Sequence, residues 1–151
     1  MLTRRQWLGA SLGSVAAILA GSAPAFAAAP LAITVYKDPG CGCCNQWVAH
    51  LEKHGFVVTA RNTSNVDEVK DTFGVPSALR ACHTATLGTY VVEGHVPADL
   101  IQKMWRERPA LAGLAVPGMP SGSPGMEGGR AQAYDVIAFR HDGTTSVYAH
   151  R

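Results

Sequence analysis

The sequence predicts an α/β domain, and three observations carry that prediction. Short β-branched and apolar runs alternate with apolar positions at helical spacing. A cysteine-rich Pro-Gly turn, "DPGCGCCNQWV" over 38–48, separates the first such run from the first helical stripe. The chain closes on two strand-like runs around Asp142-Gly143, the signal of a hairpin.

The elements follow in order. "LAITVYKD" is β-branched and ends at Pro39-Gly40, a strand feeding a turn. From Cys44 the apolar positions Cys44, Trp47, Val48 and Leu51 recur at helical spacing up to Gly55. "FVVTAR" is a second strand. Asn65 followed by Glu68 forms a capping-box pattern, so "VDEVKDTF" is a short helix stopped by Gly74 and Pro76. "TYVVEGHV" is a third strand, and "RACHTATLG" before it is the connecting loop. Pro97 suits the first turn of a helix with Leu100, Ile101 and Met104 on one face. Residues 113–130 are a loop rich in Gly, Pro and Ser, and "AYDVIAF" and "TTSVYAH" make the hairpin. This succession is that of a thioredoxin-like sandwich, with a Gly/Pro/Met-rich loop and a C-terminal β-hairpin extension. Its first strand delivers the cysteines to the N-terminus of the first helix, at the sheet edge where α/β folds place their sites.

The first 27 residues stand outside this pattern. Arg4 and Arg5 precede a weakly apolar Ala/Gly/Leu stretch, and Ala25-Phe26-Ala27 fits a small-residue cleavage site, so 1–27 reads as an export signal. The arginine pair in "TRRQWL" is similar to a twin-arginine signal, although an ordinary secretory signal with an incidental pair has the same features. Cleavage after Ala27 leaves 124 of the 151 residues, a single domain over 28–151 with enough chain for a core. It removes two of 13 Lys and Arg, so 11 basic residues face 11 acidic ones. A neutral chain offers no electrostatic footprint for nucleic acid or anionic lipid, and no membrane span is expected after cleavage.

An exported chain meets an oxidising compartment, where four cysteines default to two disulfides. Cys41 and Cys44 have dithiol spacing at a helix N-terminus, whose partial positive charge favours thiolate. Cys43 between them offers wrong partners to clean dithiol exchange but suits a soft metal, because Cu(I) favours thiolate and thioether sulfur. Adjacent Cys43 and Cys44 diverge by roughly the 100° per residue of a helix, so three crowded thiolates suggest a bridged cluster holding more than one ion. Cys82 would supply a fourth sulfur; the alternative is a small buried thiol. His83 is either a further ligand or a solvated loop histidine. Zinc fits poorly, since a CxCC run departs from the usual paired CxxC spacing. Met119 and Met126 sit in a repeated Pro-Gly-Met tripeptide, as thioether ligands or as methionines folded over apolar surface. Met104 belongs to a core stripe, His95 stands behind the candidate ligands, and His50, His54, His141 and His150 read as solvated.

The segments "YKDPGCGCCNQWVAHLEKHGF", "CHTATLGTYVVEGHVPADLI", "LAVPGMPSGSPGME" and "YDVIAFRHDGTTSVYAH" together resemble the CopG family of exported copper-resistance proteins. The resemblance implies a thioredoxin-like domain whose C-terminal extension helps bind metal. It implies copper held by Cys41, Cys43 and Cys44, with Cys82, His83, Met119 and Met126 in matching motifs. It also implies interconversion of Cu(I) and Cu(II) in the periplasm, where copper ions, copper-export components or an electron donor or acceptor would be the partners. A thiol–disulfide oxidoreductase using Cys41 and Cys44 and a non-catalytic copper store or carrier are the competing functions.

Overall fold

The computed structural model describes residues 29–151; the expected export signal over 1–27 lies outside the described residues. β1 (Leu31–Lys37) buries Ile33 and Val35 and pairs on both sides. On one side β2 (Phe56–Asn62) runs parallel to it in register from Leu31↔Phe56 to Lys37↔Asn62, with α1 (Gly42–Lys53) as the crossover. On the other side β3 (His83–Leu87) is antiparallel, and β4 (Tyr90–Gly94) is antiparallel to β3. β5 (Gly113–Val116) joins β4 in parallel after α3 (Ala98–Glu107), and the hairpin of β6 (Asp135–Phe139) and β7 (Thr145–His150) completes a seven-stranded sheet. The mixed α/β class predicted from the alternation is therefore the class the chain forms. Among the described residues, no helix is long and apolar enough to cross a membrane.

Both faces of the central strands are covered, which the period-2 placement of side chains makes possible, while β2 and β7 at the edges stay largely exposed. Ile33, Val35, Leu114, Val116, Val136 and Ala138 pack under Trp47 and Leu51 of α1 and Leu100, Ile101 and Met104 of α3. Val91 of β4, with Ala115 and Phe139 from alternate positions of β5 and β6, meets Val75 and Leu79 on the opposite face. At 25 cal/mol per Å², each such large apolar side chain contributes about 1.5–3 kcal/mol on burial, so the larger core dominates stability. Met104 is a core residue, as its stripe predicts.

Local signals placed most helix ends. Asn65 caps α2 (Val66–Thr72): its Oδ1 accepts from the Glu68 N–H at 3.3 Å and its Nδ2 donates to Glu68 Oε2 at 2.8 Å. Pro97 is the N-cap residue of α3, one position before the helix proper. Two strands depart from expectation. "RACHTATLG" is not a plain loop, because His83–Leu87 is β3; residues 113–116 of the expected loop are β5. β5 is four residues long and buried throughout, so it has no alternation to read, while β3 hides behind buried His83 and Thr84.

Thr84 belongs to a network that fixes the start of β3. Glu93, fully buried on β4, accepts from Lys70 Nζ at 2.7 Å, from Thr84 Oγ1 at 2.6 Å and from the Ala81 N–H at 2.6 Å. Lys70 also donates to Thr84 at 3.0 Å. Burial pushes the Glu93 carboxyl up, against the pull of the Lys70 ammonium and the Thr84 hydroxyl. Removing one partner of such a pair strands a charge. Lys70→Met should therefore destabilise the fold by about 3–5 kcal/mol in urea unfolding, and adding Glu93→Gln should restore much of the loss.

Candidate metal centre

Four strand ends meet at one edge of the sheet. Lys37 at the end of β1 is opposite His83, Thr84 is opposite Glu93, and Gly94 is opposite Val116. Continuing these ladders outward brings together the cysteine turn after β1, Cys82 before β3, His95 after β4 and the loop after β5. Gly94 permits the turn to His95: its φ is +68°, and a Cβ there would lie 2.6 Å from the Val116 carbonyl oxygen. The cysteine turn is held by Asp38, whose side chain accepts from the Gly40 N–H at 2.7 Å and whose carbonyl accepts from the Cys41 N–H at 3.1 Å. Cys41 is the N-cap of α1, and no side chain caps the helix there. The free first-turn N–H groups turn the positive end of the helix dipole toward the sulfurs.

Cys41 and Cys44 form a disulfide, with Cα atoms 5.3 Å apart. Cys43 and Cys82 are free. Cys43 Sγ lies 3.5 Å from Cys41 Sγ and 4.0 Å from Cys82 Sγ, and all four sulfurs fall within 4.8 Å of one another. The adjacent Cys43 and Cys44 do serve different neighbours: Cys44 is fully buried in the bridge, while Cys43 is half-buried and reaches across to Cys82. Burial, reinforced by Cys43, pushes the Cys82 thiol up to about 12. Cys82 therefore carries its proton at neutral pH until something displaces it.

Behind Cys82 stand two histidines. His83 is not a solvated loop residue; it is fully buried on β3, with its ring centroid 4.3 Å from that of Trp47. Its Nδ1 is 3.3 Å from Cys82 Sγ, and its Nε2 has no hydrogen-bond partner. His95 is fully buried too, and its Nε2 lies 3.0 Å from Cys82 Sγ. His95 Nδ1 is 2.7 Å from the Pro124 carbonyl oxygen, which can only accept, so the proton is assigned to Nδ1 and the Nε2 lone pair faces Cys82. Burial holds both imidazoles below their ordinary pKa, His83 further because of His95 and Lys70. Both are thus neutral, the form in which imidazole donates to a metal. Cys82, His83 and His95 form a second cluster of donor atoms, sharing Cys82 with the first.

From spacing alone His95 takes only a supporting place. Its signal was the unseen strand: with β3 recognised, Cys82 and His95 fall on facing strand ends. His50 also departs from expectation, being half-buried and accepting from the Ala98 N–H at 3.2 Å; burial lowers its pKa. His54, His141 and His150 are exposed.

The two Pro-Gly-Met tripeptides are not equivalent. Gly125 of the second packs against the first turn of α1, where an added Cβ would lie 2.8 Å from the Cys43 carbonyl oxygen, 2.9 Å from the Trp47 nitrogen and 3.2 Å from His95 Nδ1. Its φ of +87° also suits glycine. Met126, the next residue, is half-buried, and its N–H and carbonyl bond Ser123 and Gly122 at 2.8 and 3.0 Å. Met119 of the first tripeptide is exposed, at a φ of 48°. Soft sulfur donors beside neutral imidazoles match the preference of a soft or borderline metal ion.

Comparison with known proteins agrees with this chemistry. The family model described as "Protein of unknown function, DUF411" matches residues 79–126, which span Cys82, His95 and the second tripeptide. Comparison with curated proteins finds no match. Two solved structures, "Copper resistance protein copG- Form 2" and "Copper resistance protein copG- Form 1", are each 50% identical to the chain. Each covers 81% of it and is itself covered to 98%, with a TM-score of 0.77. With half its residues shared over four-fifths of its length, and the same fold throughout that span, this chain belongs to the CopG family of copper-resistance proteins.

Proposed function

We propose that the chain is an exported periplasmic protein that binds copper as Cu(I) through Cys41, Cys43, Cys44 and Cys82, holds more than one ion, and interconverts Cu(I) and Cu(II) in copper resistance. The observation that carries this is the meeting of four sulfurs within 4.8 Å at one sheet edge, three of them from a single helix turn. Such a density of thiols exceeds what one disulfide needs, and it suits an ion that prefers sulfur at low coordination number. The name of the two similar structures, copper resistance protein, supports copper over other soft ions. His83, Met119 and Met126 remain candidate ligands beside them, and His95 joins that set. The expected signal over 1–27 supports export, with 28–151 as the mature domain.

The thiols also supply a redox couple. When Cys41 and Cys44 join, they release two electrons and two protons, the number required to reduce two Cu(II) to two Cu(I). An electron donor would be needed to reopen the bridge, and a copper-export component to take the product. The bridge itself favours a second reading, in which the chain is a thiol–disulfide oxidoreductase and copper is incidental. A store or carrier without turnover would use the same ligands as the first.

Substitution at Cys43 separates the first two. In an anaerobic titration of the reduced protein, Cys43→Ser should lose most of its bound Cu(I) while Cys41 and Cys44 still oxidise as a pair; unchanged copper stoichiometry would sink the cluster. The loop gives a second test. Gly125→Ala should drive the second tripeptide off the Cys43 carbonyl and weaken Cu(I) retention about 10-fold or more in competition with a chromophoric chelator. Met119→Leu, altering an exposed side chain, should change retention far less.

A further inference from the structure

We propose that the chain has two copper-binding tiers set by its own disulfide: the oxidised form keeps one Cu(I) between Cys43 and Cys82, and opening the Cys41–Cys44 bridge adds the others. The proposal rests on the copper-binding function above and concerns how that same site is regulated. A disulfide sulfur has no proton to release and gains no negative charge, so Cys41 and Cys44 are withdrawn as strong donors while bonded. Cys43 and Cys82 are not withdrawn. Their sulfurs stand 4.0 Å apart, too far for a bond between them and within the reach of one ion making two metal–thiolate bonds of about 2.3 Å each.

Two features position that pair, and a third adds a donor. Cys43 is carried by the first turn of α1, against which Gly125 is packed. Cys82 follows Ala81, whose N–H is bonded to buried Glu93 at 2.6 Å, and precedes His83 in the β1–β3 ladder. His95 Nε2, 3.0 Å from Cys82 Sγ and oriented by the Pro124 carbonyl, adds a nitrogen donor that the state of the disulfide does not touch. The oxidised form thus retains two thiols and an imidazole on one side of the site.

The switch between tiers is a balanced two-electron step. Two electrons and two protons cleave the Cys41–Cys44 bond into two thiols, while a dithiol reductant becomes a disulfide. The bound copper stays Cu(I) throughout. Oxidation runs the step backwards and releases the upper tier, leaving one ion behind. Copper content then reports the thiol redox state of the compartment in whole ions.

The test is an anaerobic titration with Cu(I), supplied as its acetonitrile complex and competed against a chromophoric chelator. The protein carries one disulfide and two free thiols, verified by mass after alkylation, and is compared with the same protein fully reduced. One tightly held Cu(I) per chain is expected in the disulfide form and more than one after reduction. In the disulfide form Cys82→Ser should bind none, with its fold checked by circular dichroism. Cys41→Ser/Cys44→Ser, which cannot form the bridge, should keep one. If the disulfide form binds none while the reduced form binds several, the two tiers are wrong and the copper site stands. Retention of one ion by Cys82→Ser also overturns the proposal, and failure of the reduced protein to bind copper overturns both readings.

Discussion

Glu93 is the residue on which the metal edge depends. A carboxylate buried away from water survives only if its oxygens are bonded, and this one is bonded to a lysine, a threonine and a backbone amide. Those partners come from α2, β3 and the segment before β3, so a single side chain ties a helix to two strands. Cys82 lies one residue from the bonded amide and His95 lies two residues beyond Glu93 itself. The network is costly to assemble, and hydrophobic residues of the same volume would serve stability equally well. What it adds is position, because a buried ion pair has few alternative geometries.

Above that foundation, the site combines two kinds of chemistry on one scaffold. The helix turn supplies three cysteines, two of them joined by a disulfide and the third facing Cys82. The sheet edge supplies Cys82 and two imidazoles, kept neutral by burial. By itself the turn is a disulfide with a spare thiol, and by itself the edge is a small cluster of donor atoms. The loop after β5 joins them, touching α1 through Gly125 and His95 through Pro124. Contact with both halves lets one short segment set the orientation of each.

Much of this was legible in the sequence. The stripe Cys44, Trp47, Leu51 declared α1, Asn65 and Glu68 declared α2, and Asp142-Gly143 declared the final hairpin. These are local signals, and local signals survive without tertiary context. The cysteine turn was legible for the same reason, since three thiols in four residues need no partner to be noticed. β3 and β5 were not legible. A strand buried on both faces shows no alternation, and one that buries Thr84 and His83 looks polar until Lys70 and Glu93 are found bonded to the first and Trp47 packed on the second. Missing β3 hid the facing of Cys82 and His95, which no spacing in the chain announces. The unequal fates of Met119 and Met126 were hidden too, because identical tripeptides carry no record of which one packs against a helix.

The separation of Cys82 from the other three cysteines along the chain has a consequence for timing. Cys41, Cys43 and Cys44 are neighbours even in an extended polypeptide, whereas Cys82 reaches them only through the β1–β3 ladder. A chain that is still unfolded therefore holds only three of the four sulfurs together. The full donor set exists only after the sheet has formed, so metal captured by all four sulfurs is captured by the native state alone. Under the proposed function, mass action would couple the two: copper bound only by the folded chain would drain the unfolded pool and lengthen the lifetime of the molecule holding it. On that proposal, metal supply would set how long the folded chain persists as well as how much metal it carries.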